Sequence, residues 1–352
     1  MNRILSIILS ASFFMCSASA FADSPDAKNK LFNHMDLGFT LGTPGFGFDI
    51  AMPIGDVVKV RTGISYVPPV KVPLHFNLMS YSNGVVTDGN FSKAQELLKS
   101  MTGFDVNQNV TVDGKPDMIN WKLLVDVYPF RNNKHWHFTA GFYLGNKKIA
   151  TAVNGLKEAP TLVGVGMYNS LYDFFTGTDE WGDPNYLSKP IYNDVYIDPE
   201  VGDAMRDKFL GYGRMGVHMG DYVDQFVTVT DENGNEKQVK KPFMMVPGND
   251  ATLRAEAIVN RFRPYVGFGY GSHLGKEKRL YVGFDLGAMF WGGHPKIITY
   301  NGVKEDPNDP DYAVDLTRDV ENVRGKVGDY IKFVKALKVY PVLEFRISYA
   351  IF

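Results

Sequence analysis

The segment from Lys338 to Phe352 alternates between two kinds of side chain. Large apolar side chains occupy every second position, at Leu343, Phe345, Ile347, Tyr349 and Ile351. Charged or small side chains occupy the positions between them, at Glu344, Arg346, Ser348 and Ala350. A period of two indicates a β-strand with one apolar face. Because charges are confined to the opposite face, the pattern is typical of a transmembrane barrel strand.

Seven other segments repeat this alternation, at residues 35–42, 46–52, 58–66, 120–130, 136–144, 261–270 and 280–290. The first three, with eight, seven and nine residues, are close to the roughly 9 to 11 residues that a barrel strand needs to cross a bilayer. The eight segments predict an all-β fold, a closed antiparallel transmembrane barrel of eight strands. Thr43-Pro44-Gly45 interrupts the first pair. If residues 35–54 were one bent strand, a hairpin at 225–246 would have to join the barrel, and ten strands is the alternative.

The connections between these segments are alternately short and long. Residues 54–56, 131–134 and 272–278 are short links, whereas about 68–117, 150–250 and 292–337 are long insertions. Outer-membrane barrels have short periplasmic turns and long external loops, so the long insertions are expected outside the cell. They carry signals for short helices, namely a capping box at Ser92 and Gln95, the sequence Asp198-Pro199-Glu200, and an apolar seam from Leu316 to Leu337.

The beginning of the sequence has the features of a secretory signal. Arg3 precedes an apolar run that ends in Ala20-Phe21-Ala22, so residues 1–22 are expected to be removed and residues 23–352 to form a single barrel domain. Cys16, the only cysteine, lies inside this signal. Disulfides and thiolate metal sites are therefore excluded from the mature chain. A lipoprotein signal is the alternative for Cys16, but the residues before it do not fit one.

Several motifs resemble those of the small outer-membrane barrel proteins of Gram-negative bacteria, of the OmpA or OmpX barrel type. The matching segments are Thr43–Phe48, Leu124–Phe130, Phe138–Gly141, Asn146–Ile149, Arg263–Tyr270, Phe284–Phe290 and Tyr340–Val342. They cover about a third of the mature chain, all of it barrel wall. The resemblance implies a barrel in the outer membrane, inserted by the barrel-assembly machinery through the C-terminal strand. It implies no catalytic residue, and the long insertions match no family.

Charged residues recur at the positions that alternation turns toward the barrel interior. The predicted lumen network comprises Asp36, Asp49, Lys59, Arg61, Lys122, Asp126, Arg263, Arg279, Asp285, Glu344 and Arg346. The interior of an eight-stranded barrel is just wide enough for side chains to fill it. One interpretation is a plug of ion pairs, because buried charges must be paired. The other is a narrow polar pore whose fixed charges select solutes.

Aromatic residues interleaved with acidic ones mark the longest insertion. The candidates for an external binding surface are Tyr172, Phe175, Trp181, Tyr186, Tyr192 and Tyr196. Such side chains stack on sugars or anchor protein partners. The alternative is that a large loop uses them to build its own small core.

The remaining chemistry of the sequence is sparse. No metal-ligand spacing, nucleophile motif or phosphate loop is present, so we expect neither enzyme activity nor a cofactor or metal. The formal charge of −2 provides no basic surface for nucleic acid. The expected partner is the lipid bilayer. The sequence thus predicts a structural barrel or narrow porin-like channel, with recognition of a glycan or protein by the external loops as the alternative.

Overall fold

The computed structural model describes residues 35–82, 84–103, 105–130, 132–230, 234–248, 250–300, 308, 312–323 and 325–351. The signal at 1–22, with Cys16, and Phe352 lie outside the described residues. So do Arg131 of one short link and residues 231–233 of the predicted hairpin turn.

Eight strands form a closed antiparallel barrel. They are β1 Asp36–Gly42, β2 Gly45–Ile54, β3 Val58–Val67, β7 Met118–Val127, β8 Trp136–Gly145, β13 Phe262–Leu274, β14 Leu280–Phe290 and β18 Val339–Ala350. Each barrel strand pairs with the next along the chain, and β18 closes the barrel against β1. The predicted fold class and its resemblance to the fold of small outer-membrane barrels are therefore confirmed, with eight strands and not ten.

The break at Thr43-Pro44-Gly45 is a tight turn between two separate strands. Gly45 has a φ of +93°, which favours glycine, and a Cβ there would lie 2.0 Å from the carbonyl oxygen of Tyr66. Thr43 fixes this turn to β18, because Leu343 N donates to its hydroxyl at 3.1 Å. The turn thus holds the seam where the barrel closes.

The outer face of the barrel is apolar and open to its surroundings. Its exposed side chains include Leu37, Phe39, Phe48, Ile64, Trp121, Trp136, Phe138, Val266, Phe268, Phe345, Ile347 and Tyr349. These residues come from seven of the eight strands and form an apolar belt far larger than the patches that soluble monomers expose. The belt is the surface that a lipid bilayer would cover.

The three long connections fold together into a second sheet, which we call the loop domain together with its helices. Its strands are β4 Val72–Ser82, β5 Val85–Thr87, β6 Asn109–Pro116, β9 Lys148–Asn154, β10 Arg214–Thr230, β11 Glu236–Met245, β12 Arg254–Ile258, β15 Lys296–Tyr300, β16 Ala313–Asp315 and β17 Val320–Glu321. The main path runs β11-β10-β4-β6-β9-β12-β15-β16. Three neighbouring pairs on this path, β10-β4, β6-β9 and β12-β15, join strands of different connections, so each long connection depends on another for some of its hydrogen bonds.

Helices cover the loop domain. They are α1 Phe91–Thr102, α2 Ala159–Thr176, α3 Asn185–Ser188, α4 Pro199–Tyr212 and α5 Gly325–Ala336, with a 3-10 turn at Leu156–Glu158. Their apolar faces bury Leu98, Leu162, Tyr168, Phe209 and Ile331 against the sheet. No helix of the described residues is both long and apolar enough to cross a membrane.

The three helix predictions agree with the structure to different degrees. At α4 the prediction is right, because Asp198 caps the helix by accepting from Glu200 N at 3.0 Å. At α1 the helix is present but the capping box is wrong, because Ser92 lies inside the helix and Gln95 donates to the carbonyl oxygen of Val106 at 2.6 Å. The predicted helix from Leu316 to Leu337 is wrong in its first half, where β17 pairs with β10.

Candidate functional site

Ten of the eleven predicted lumen residues lie inside the barrel, each at most 7% exposed. Arg279 is the exception, and its inward placement is wrong. It stands one residue before β14, is exposed, and lies 3.4 Å from Glu277. The alternation of β14 does not extend to a position outside the strand. The buried set that remains has five cations and five anions, which is a balanced interior.

Arg61 lies at the centre of the lumen. Its guanidinium is 2.8 Å from Asp126 and 3.1 Å from Asp285. Asp285 is on β14, which is opposite β3 in the barrel order, with three strands between them on each side. The ion pair between Arg61 and Asp285 therefore crosses the whole interior.

A second crossing lies closer to the long connections. Lys122 Nζ on β7 is 2.9 Å from Asp49 on β2 and 2.9 Å from Glu344 on β18. β7 and β18 are also opposite strands. Both crossings join side chains that are almost fully buried, and they occupy the cross-section that a solute would need.

The end of the lumen near the short turns holds a third group of charges. Lys59 pairs with Asp36, and Arg346 lies 3.6 Å from Asp126. The Arg346 guanidinium lies over the ring of Tyr281, 4.9 Å from its centroid, and donates to the Tyr281 hydroxyl at 3.2 Å. Together with the central pairs, these contacts fill the interior at three levels.

Arg263 is buried without a carboxylate partner among the described residues. It donates to the side-chain oxygen of Asn120 and to the carbonyl oxygens of Asn146, at 2.5 Å, and Asn260, at 2.9 Å. Each of its three guanidinium nitrogens thus donates to a neutral oxygen, one on the barrel strand β7 and two in the connections. Arg263 therefore fastens the long connections to the barrel rim.

An apolar cluster closes the lumen at the end of the long connections. Tyr143, Tyr265, Met289 and Val342 project inward from the barrel wall, and Val259 and Trp291 come from the loops to cover them. Trp291 stacks on Tyr340 with ring centroids 5.1 Å apart. A solute that passed the ion pairs would still meet this packed layer.

His137 is a lumen residue that sequence reasoning missed. Its place beside Trp136 suggests a polar neighbour of an interfacial aromatic, but it is 1% exposed and its Nε2 lies 2.7 Å from Asp285 Oδ1. Thr139 was missed as well, and its hydroxyl donates to Asp126 at 2.8 Å. The alternation of β8 places both inward and was the signal available.

The six aromatic candidates of the longest insertion divide into two groups. Phe175 and Tyr186 are buried in the core of the loop domain, and Tyr172 packs against that core. Trp181, Tyr192 and Tyr196 are 87%, 73% and 56% exposed. The structure therefore brings half of the set into a core and leaves the other half on the surface.

Two constrained turns hold Trp181 and Tyr192, and Tyr196 directly follows the second turn. Thr178 and Pro184 form a bridge, and inside it Asp179 Oδ1 accepts from the backbone N–H groups of Trp181 and Asp183, both at 2.9 Å. Desolvation raises the pKa of the Asp179 carboxyl. These bonds and a bond from Ser188 outweigh that effect and hold the pKa below its usual range. A β-bridge between Tyr192 and Val195 closes the second turn.

The residues that the structure describes contain no group of three or more His, Cys, Asp or Glu side chains arranged to hold a metal ion. The buried carboxylates of the lumen face arginine and lysine at short distance. The negative charges of these carboxylates are therefore already neutralised.

No protein-family model and no curated protein sequence matches this chain. Solved structures of similar fold include CarO2 of Acinetobacter baumannii, 12% identical with a TM-score of 0.36, over 92% of this chain and 100% of that one. CarO of the same organism is 12% identical with a TM-score of 0.35, over 90% and 96%. A major outer membrane protein of Thermus thermophilus is 10% identical with a TM-score of 0.27, over 90% and 98%. No functional assignment rests on these likenesses.

Proposed function

We propose that this chain is an outer-membrane barrel with a closed lumen, which holds a folded recognition domain at the cell surface. The observation that carries the proposal is the pair of ion bridges across the interior, Arg61 to Asp285 and Lys122 to Glu344. Opposite walls are joined through side chains that leave no exposed charge. The barrel is then an anchor, and the function belongs to the loop domain.

The fold and the sequence both support the placement in the membrane. The apolar belt suits a bilayer, and the three long connections all leave the same end of the barrel, as external loops do. Export through the signal at 1–22 and insertion by the barrel-assembly machinery complete the proposal, which includes no enzyme activity and no cofactor.

Recognition is assigned to the exposed aromatics on the two constrained turns. Trp181, Tyr192 and Tyr196 offer large flat faces, and the turns that hold Trp181 and Tyr192 limit the entropy lost on binding. Asp179 and Asp183 lie beside Trp181 and supply hydrogen-bond acceptors. This combination suits a glycan, whose C–H faces stack on aromatic rings while its hydroxyl groups donate to carboxylates.

A glycan array tests this assignment. The refolded chain in lipid nanodiscs is compared with a triple variant, Trp181→Ala, Tyr192→Ala and Tyr196→Ala, and with the control Tyr330→Ala and Phe333→Ala. The control residues are also exposed aromatics, on α5. The proposal expects array signals that the triple variant loses and the control keeps. Absence of signal from the unmodified chain, or equal signals from all three proteins, contradicts it.

A narrow solute channel is the second candidate. Its supporting observation is that Thr40 Oγ1 and His137 Nδ1 are buried with no hydrogen-bond partner within the described part of the chain. Water is the usual partner of such atoms. A continuous file of water along the lumen would allow small ions to pass.

A further inference from the structure

A cavity of about 690 Å³ lies in the loop domain between β4, the β10–β11 hairpin and helix α5. Its size is within the range of small-molecule sites, about 300 to 1,000 Å³. Its lining residues differ from the exposed aromatics to which recognition was assigned, so a ligand here is independent of the proposed function.

The cavity exists because the β10–β11 hairpin is bent. His218 pairs with Met244, but the next pairs are Asp221 with Pro242 and Phe226 with Lys240, so the register shifts twice. Gly220, with a φ of +115°, lies inside the first shift. Bulges of this kind bend a strand and increase its twist.

The tip of the bent hairpin returns to the sheet at β5. A Cβ at Gly84 would lie 2.3 Å from Val229 Cγ2 and 3.4 Å from Val239 Cγ2, which shows how closely the two segments approach. The hairpin is thus supported at both ends, and the space beneath it is built by the backbone.

The walls of the cavity are mostly apolar, formed by Phe76, Met79, Val229, Val239 and Val327. Lys240 also lines the cavity, but its Nζ lies 2.5 Å from Glu321. The charge of Lys240 is therefore already neutralised. The body of a ligand would contact hydrocarbon over most of its surface.

One corner of the cavity is polar. His218 Nε2 lies 3.7 Å from Asp221 Oδ1, too far for a direct hydrogen bond. That nitrogen has almost no accessible surface, so a molecule in the cavity does not reach it. The other Asp221 oxygen accepts from Asn322 at 3.0 Å. The polar group that the corner offers to a ligand is therefore the Asp221 carboxylate.

We propose that this cavity binds an uncharged small molecule with an apolar body and one hydroxyl group. A hydroxyl group can donate a hydrogen bond to the Asp221 carboxylate. A carboxylate in the same place would be repelled by Asp221, and the neutralised Lys240 would not compensate. The ligand class is a phenol or an alcohol of moderate size.

The test uses 4-propylphenol as the probe and isothermal titration calorimetry of the full chain in lipid nanodiscs. Val229→Trp fills the cavity from the hairpin, and Met79→Trp fills it from β4. Thr228→Trp is the matched control, because Thr228 is exposed and alternates to the other face of the hairpin. Partition of the probe into lipid is common to all variants and cancels in the comparison.

We expect saturable binding of one 4-propylphenol, kept by Thr228→Trp and lost in both filling variants. Loss of this hydrogen bond with 4-propylanisole, which has no hydroxyl proton, should weaken binding about tenfold. Absence of saturable binding overturns the proposal. Binding that survives both filling variants overturns the location, and equal affinity for the anisole overturns the assigned hydroxyl contact.

Discussion

Lys122 and Glu344 lie on opposite walls of the barrel, and the Lys122 ammonium donates to both carboxylate oxygens of Glu344, at 2.9 Å and 3.0 Å. The same ammonium is 2.9 Å from Asp49. One cation therefore holds two anions that would repel each other without it. The loss of Lys122 and the loss of Glu344 should therefore have unequal effects on stability.

Removal of Lys122 should cost more stability than removal of Glu344. Lys122→Met removes the cation that contacts Glu344 and leaves Asp49 only the more distant Arg61, 4.0 Å away. Breaking a buried pair costs about 3 to 5 kcal/mol. Glu344→Met leaves Lys122 paired with Asp49, so the loss should be smaller. Urea unfolding in lipid vesicles, followed by tryptophan fluorescence, gives both free energies. Equal losses, or the reverse order, would show that the three groups do not act as a unit.

Arg61 and Arg279 are a matched pair of arginines with opposite environments. Arg61 is fully buried, whereas Arg279 is exposed beside Glu277. Arg61→Met should destabilise the barrel by about 3 to 5 kcal/mol, because Asp126 and Asp285 lose their main partner. Arg279→Met should change the free energy of unfolding by at most about 0.5 kcal/mol. The same urea titration measures both free energies. A large effect of Arg279→Met would show that Arg279 belongs to the lumen network after all.

The loop domain should lose its core when Phe209 is truncated. Phe209 is fully buried and stacks on Phe175, with centroids 5.4 Å apart. Phe209→Ala should destabilise the loop domain by about 3 to 5 kcal/mol. Limited proteolysis should then cut the long connections while the barrel keeps its folded mobility on unheated gels. Phe333→Ala, at an exposed aromatic position, is the control and should leave the cleavage rate unchanged.

Acid should release the turn that presents Trp181. The pKa of Asp179 is lower in the folded chain than in the unfolded one, so the carboxylate stabilises the turn above its ordinary pKa, near 3.8. That stabilisation is lost as the pH falls below this value through the folded pKa. The protection factor of the Trp181 amide, which compares its hydrogen-exchange rate with the intrinsic rate at each pH, should fall as the turn is released. In Asp179→Asn the side-chain oxygen stays an acceptor, and this protection factor should not change with pH.

The barrel wall could be predicted from the sequence because each wall strand has one face toward lipid and one toward the interior. That environment imposes a period of two, which β18 shows over its whole length. The same rule placed ten of the charged residues in the lumen. The rule does not hold for Arg279, because that residue lies outside its strand. It does hold for His137, which lies inside the barrel as the alternation of β8 indicates.

The loop domain could not be predicted in the same way. β9 and β12 are partly buried along nearly their whole length, so their sequences carry no alternation. The second partner of each strand also comes from another long connection, β6 for β9 and β15 for β12, and no local signal records such a pairing. The sequence also does not distinguish the buried aromatics from the exposed ones. Tyr186 is buried and Trp181 is exposed because of the way in which α2, α3 and α4 pack.

Single-channel conductance of the refolded chain, residues 23–352, in a planar lipid bilayer tests the closed lumen most directly. The bridges Arg61–Asp285 and Lys122–Glu344, with the apolar cluster around Trp291, predict a folded barrel that passes no steady current at either polarity. Steady conductance whose ion preference changes in Lys122→Met would contradict this account and establish the lumen as a channel.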